Sequence, residues 1–216
     1  MDISNLPVLI SLSVLILSII IHEVAHGYMA NWLGDPTARL AGRLTLNPLS
    51  HIDPLGSVIL PALMVMSHVG IVFGWAKPVP YNPYNLKNQR WGEFLVAAAG
   101  PGVNLIIAFV FAIIIRVTAA GGVPASFIEI ASYVVFINIL LAIFNLIPIP
   151  PLDGSKVLAG LLPAHLERSY RELGARIEQY GILSMFAFIF VFVYLLSTPF
   201  YALVSWIFTL LVGFQL

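Results

Sequence analysis

The sequence predicts an all-α polytopic membrane protein, and three observations carry that prediction. Of its 216 residues, 60% are hydrophobic and only 9% charged, with a mean hydropathy of +0.97. Soluble domains carry about 25% charged residues. Apolar stretches of membrane length begin at Leu6, Phe94, Phe127 and Gly181. The stretches between them hold most of the charge, together with Pro and Gly. The length suits one membrane-embedded domain over residues 1–216 with little soluble mass. Ten basic and ten acidic residues balance to zero, which offers no footprint for nucleic acid. The absence of Cys excludes disulfides and thiolate ligands, so any metal must use His, Asp or Glu.

The first element runs from Leu6 to about Leu33. Asp2 stands where a secretory signal carries basic charge, so the segment reads as a retained membrane helix. It carries the pattern Ile21-His22-Glu23-Val24-Ala25-His26-Gly27. On a helix, His22 and His26 lie one turn apart on a shared face, where two imidazoles can bind one zinc ion. Glu23 lies beside that face, placed to reach a metal-bound water rather than the metal. Ionisable groups in a membrane-length segment are costly, which marks these three as functional candidates, the alternative being an interfacial polar cluster that closes the helix. Gly34-Asp35-Pro36 ends the helix.

Residues 37–54 form a polar connection in which 38–46 partly alternates and predicts a short strand. Asn47-Pro48 and Asp53-Pro54 mark turns, and a hydrogen-bonded turn explains His51 and Asp53 better than a second metal pair. Leu55 to Phe73 is apolar but broken by Pro61 and Gly70, with His68 expected to be structural. Residues 74–93 are polar and turn-rich. Phe94 to Val117 predicts a membrane helix that opens on Gly100-Pro101-Gly102-Val103-Asn104, small residues that let a neighbour approach. Asn104 is either interhelical glue or part of the substrate-binding wall. Phe127 to Ile147 predicts another membrane helix, followed by Pro148-Ile149-Pro150-Pro151-Leu152-Asp153-Gly154, which cannot continue as helix. The charged stretch 155–180 reads as a surface helix with His165 exposed. Residues 181–214 are apolar, broken near Pro199, as one kinked helix or two short ones.

A catalytic zinc typically keeps three protein ligands and one open position. Asp153 is the strongest candidate for the third, since it ends a proline-rich break beside a membrane helix and Gly154 lets the chain turn. The alternative is that Asp153 caps the following helix.

His22-Glu23-Val24-Ala25-His26, Gly100 to Asn104 and Asn145 to Gly154 together resemble the site-2 protease family of intramembrane zinc metalloproteases, and the segment 34–56 is similar to a small bacterial subgroup without PDZ or CBS domains. The resemblance covers about residues 6–155. It implies the core helices of that family, one catalytic zinc on His22, His26 and Asp153, and Glu23 as the base. It also implies that Asn145 helps hold a membrane-protein substrate.

If His22 and Asp153 meet, their helix ends share one side of the bilayer, and residues 27–94 cross it an even number of times. The stretch 55–73 is too short for two crossings of about 17–25 residues each, so a re-entrant or interfacial course is expected. Arg39, Arg43, Lys77, Lys87, Arg90, Lys156, Arg168, Arg171 and Arg176 fall on that same side. Positive-inside bias then predicts a multi-pass protein of the cell membrane with its site toward the cytoplasm. The expected activity is hydrolysis of a peptide bond in or near a substrate's transmembrane helix. The alternatives are a zinc or ion transporter and a silent membrane-helix-binding protein.

Overall fold

The computed structural model describes residues 6–66, 74–118 and 121–214. Among these, four helical spans are long and apolar enough to cross a membrane: α1 (Val8–Trp32), α4 (Gln89–Thr118), α5 (Ala125–Asn145) and Phe186–Val212. The last comprises most of α8 (Ile182–Val191), a π-helical turn over Phe192–Leu196, and α9 (Ser197–Val212). The described part of the C-terminal apolar stretch is therefore one continuous helical run, long enough for a single crossing. Arg116, at the end of α4, donates from Nε and Nη2 to the carbonyls of Leu211 and Leu210 at 2.6 and 2.7 Å. A cation there satisfies orphan carbonyls of α9 and complements its dipole. The ends of α4 and α9 thus lie together, on the side opposite Asn145.

α4 packs along α5 and α1. The core between α4, α5 and α9 is built from Ala108, Ala112, Ile115, Val135, Ile139, Val204 and Phe208, all buried. Alanines one turn apart on α4 let α5 come close, the packing available when lipid gives helices no hydrophobic reason to associate. Outward, Leu9 and Leu12 on α1, Ile106 and Phe109 on α4, and Trp206 and Leu210 on α9 stand uncovered. A belt of this kind needs an apolar solvent, and acyl chains supply it.

The expected strand within 38–46 is not formed, and the described residues contain no strand. Thr37–Leu40 is instead a single helical turn, α2. The amides of Leu40, Ala41 and Arg43 bond back to Pro36, Thr37 and Ala38, leaving no edge to pair. Ala38 is fully buried facing Gly27 of α1, so the alternation reflects one small residue packed inward. Within 55–73, residues 54–59 form a π-helical turn and Leu60–Met66 forms α3. That helical run is too short to cross a bilayer. The remainder, including His68 and Gly70, lies outside the described residues. Asp53 caps the turn by accepting from Gly56 N–H at 2.7 Å, and His51 meets the Thr45 carbonyl at 2.8 Å. Among the described residues, neither joins a group of three possible metal ligands.

Asp35 ties the end of α1 to residues 82–85. It is fully buried and accepts from Thr37 Oγ1 at 2.5 Å, Asn85 Nδ2 at 2.8 Å and Asn82 N–H at 2.6 Å. Burial pushes its carboxyl up, but the bonds from Thr37, Asn85 and Asn82 outweigh this and hold it below the ordinary carboxylate value. The stability it contributes is therefore fully present above the unfolded carboxylate range and is lost as pH falls through the lowered value. Asp35→Ala leaves these donors stranded and is expected to cost about 2–4 kcal/mol. Thermal unfolding in detergent should show a midpoint lower by about 5–15 °C.

The charged stretch 155–180 forms two helices, α6 (Asp153–Leu161) and α7 (Ala164–Glu178), broken at Leu162-Pro163. Arg90 and Glu93 on the first turns of α4 pair with Glu167 and Arg171 on α7, which ties α7 to the start of α4, while α6 packs along α4.

Candidate metal centre

α1 brings His22 and His26 to one face, and α6 begins beside them. The break after α5 includes a cis Pro150–Pro151 bond, and Gly154 then sits against the Leu146 and Ile147 carbonyls where a Cβ has no room. This contact returns the chain so that Asp153 points at α1. His22 Nε2 lies 3.1 Å from Asp153 Oδ2, His26 Nε2 lies 3.2 Å from the same oxygen, and the two Nε2 atoms are 3.0 Å apart.

The protons on the two imidazoles can be assigned from groups that only accept. Asn138 Nδ2 donates to the Val134 carbonyl at 2.9 Å and to Ser18 Oγ at 3.0 Å. Its oxygen therefore accepts from Asn104 Nδ2 at 2.9 Å, and the Asn104 oxygen accepts from His22 Nδ1 at 2.8 Å. His26 Nδ1 donates to the Val96 carbonyl at 2.6 Å. With both protons on Nδ1, each Nε2 presents a lone pair, and Asp153 Oδ2 adds a third acceptor. A single proton could serve only one edge of this triangle, whereas a cation serves all three.

The dimensions suit zinc. A tetrahedral site with bonds of about 2.0–2.1 Å has ligand edges of about 3.4 Å, within a few tenths of an ångström of those found. The room is prepared on the α4 side as well. A Cβ on Gly100 would stand 2.6 Å from both His22 Nε2 and His26 Cε1. Gly100→Ala should therefore push the rings out of line and weaken zinc binding by about 10–100-fold, as misoriented ligands do. Zinc content of the purified variant by mass spectrometry, beside its unfolding curve, checks this.

The other predicted residues take distinct places. Glu23 Oε2 accepts from Val79 N–H at 2.9 Å. Asn145 bonds through Nδ2 to the Leu141 carbonyl at 2.9 Å. Both residues line two cavities that meet at His22. One, of about 200 Å³, is walled by Val79, Tyr81, Asp153 and Lys156. The other, of about 390 Å³, is walled by Ile19, Trp75, Leu141, Phe144 and Phe188. Asn104, expected on the substrate wall, is instead fully buried behind the His22 ring, because its amide bridges His22 and Asn138 across the helix interface. Sequence reasoning missed Ser18, Asn138, Val79, Val96 and Lys156. Asn138 carried a usable signal, an amide inside an apolar helix. Val79 and Val96 act through their backbones and carried none.

The family model for peptidase family M50 matches residues 10–127 and 120–192. The chain is 36% identical over 198 residues to "Putative zinc metalloprotease YwhC" of Bacillus subtilis, covering 89% of this chain and 82% of that one. It is 31% identical to "Putative zinc metalloprotease Rip2" of Mycolicibacterium smegmatis, over 92% and 70% of the two chains. A shorter match, 43% identical over 90 residues, joins it to "Putative zinc metalloprotease MJ0611" of Methanocaldococcus jannaschii, over 41% and 46%. No solved structure matches it at a significant level. A His-His-Asp acceptor triangle among membrane-length helices and these relationships lead to one conclusion: the chain belongs to peptidase family M50, the site-2 protease family of membrane zinc metalloproteases.

Proposed function

We propose that the protein hydrolyses a peptide bond in or near a transmembrane segment of a membrane-protein substrate, with His22, His26 and Asp153 as zinc ligands and Glu23 as the base. The observation that carries this reading is the convergence of His22 Nε2, His26 Nε2 and Asp153 Oδ2 within 3.0–3.2 Å, with Glu23 on the wall of the cavities that open there. Zinc, when bound, supplies a Lewis acid that polarises the scissile carbonyl and acidifies water. Glu23 accepts the proton of the attacking water and delivers it to the amine nitrogen as the C–N bond breaks. Val79 N–H holds its second oxygen in place, leaving the carboxylate aimed rather than free to rotate. Asn104 and Asn138 keep the His22 lone pair turned inward.

The cavity bounded by Ile19, Leu141, Phe144 and Phe188 suits the apolar side chains of a membrane segment, and the one beside Lys156 suits water and charged product. Asn145 borders both and is placed to bond an unwound substrate backbone. The basic residues on the Asp153 side support a site that faces the cytoplasm, so a reporter fused near Lys87 should read inside the cell; an external reading would overturn that orientation.

Reconstitution tests the reading directly. The zinc-loaded protein in liposomes should cleave candidate single-pass membrane proteins. Chelation should stop cleavage and added zinc should restore it. Cleavage that persists at full rate in chelator removes zinc from the reaction.

A further inference from the structure

The geometry points to Lys156 as an anion-binding residue of the site, one that receives the carboxylate left on the N-terminal product when the amide is cut. The inference rests on the hydrolytic reading above. Lys156 follows Asp153 by three residues on α6, so the two share one helix face. It lines the same cavity as His22, Glu23, His26 and Asp153, and among the described residues of that wall it is the only Lys or Arg. Its ammonium stands 5.3 Å from the centre of the Tyr81 ring, which faces the same space. That ring restrains the side chain without neutralising it.

Asp153 and Glu178 attract this charge from a distance, but neither pairs with it directly. Lys156 also borders the neighbouring cavity with Glu93 and Glu178, but Glu93 is paired with Arg171, and Glu167 with Arg90 and Arg171. Among the described residues Lys156 forms no ion pair within 4.0 Å.

The reaction creates the charge that Lys156 would meet. The substrate carbonyl is neutral, and hydrolysis leaves a carboxylate beside two existing acids, Glu23 and Asp153. A compact ammonium at that wall offsets the repulsion and bonds the new oxygen. A ligand for this subsite is therefore a peptide with an apolar end and a free C-terminal carboxylate.

The test measures binding, not turnover. Zinc-loaded full-length protein carrying Glu23→Gln is titrated in detergent with N-acetyl-trileucine and with its C-terminal amide, by calorimetry. The free acid should bind more tightly. Adding Lys156→Met should reduce the acid-over-amide preference about tenfold or more, with zinc content unchanged, while Lys156→Arg should keep most of it. The metal itself favours the acid, so a residual preference remains. Should Lys156→Met unfold, Lys156→Gln carries the same expectation. No acid preference in the parent, or an undiminished one without the ammonium, overturns the assignment. Acid binding as expected in a chain that cleaves no membrane protein would sink the hydrolytic reading alone.

Discussion

Glu23→Gln is expected to lower cleavage by about 10²–10⁴-fold while leaving zinc bound, because general-base catalysis contributes on that scale. The amide keeps the size of the carboxylate, and its oxygen can still accept from Val79 N–H, so the 78–79 segment should stay in place. What is lost is the ability to take a proton from water. The informative pairing is rate with metal content: single-turnover cleavage beside zinc per chain by mass spectrometry. A variant that retains both zinc and near-normal cleavage would remove Glu23 from the chemistry. One that loses zinc would show that Glu23 supports the metal instead.

Asp153→Ala is the complementary experiment, and its expected effect is on the metal. It leaves two imidazole lone pairs 3.0 Å apart with no anion between them. Zinc affinity should fall by more than about 100-fold, beyond the 10–100-fold typical of changes behind the ligands. Cleavage should fall to background at ordinary zinc concentrations. Competition with a fluorescent chelator measures the affinity. The fold should survive, because α6 is also held by the Arg90 bonds to the Gly160 and Leu162 carbonyls. Unchanged zinc affinity would dismiss Asp153 as a ligand.

Much of the fold could be read from the chain. Apolar runs placed α1, α4, α5 and the C-terminal span because lipid demands long uninterrupted helices. The ends were harder. α4 begins at Gln89 rather than Phe94, because Arg90 and Glu93 are tied to α7 by ion pairs instead of marking a loop. The strand expected within 38–46 was a helical turn, since a stretch so short alternates equally well when one small residue packs inward. At the site, two of the three side chains that converge were legible, His22 and His26, through a spacing that only a helix makes useful. Their supports were not. Val79 and Val96 contribute an amide and a carbonyl that every residue possesses, so only the tertiary arrangement reveals them.

Ser18 and His22 are one turn apart on α1, and Asn138 and Asn104 close a loop of bonds from one to the other through α5 and α4. A slide of one residue along any of these axes, about 1.5 Å, breaks that loop. The imidazole is then free to exchange tautomers and turn an N–H toward the metal. With His22 as the proposed ligand, metal affinity should report how the three spans are seated against one another, and a bilayer whose thickness unseats them should quench the proposed chemistry without touching a ligand.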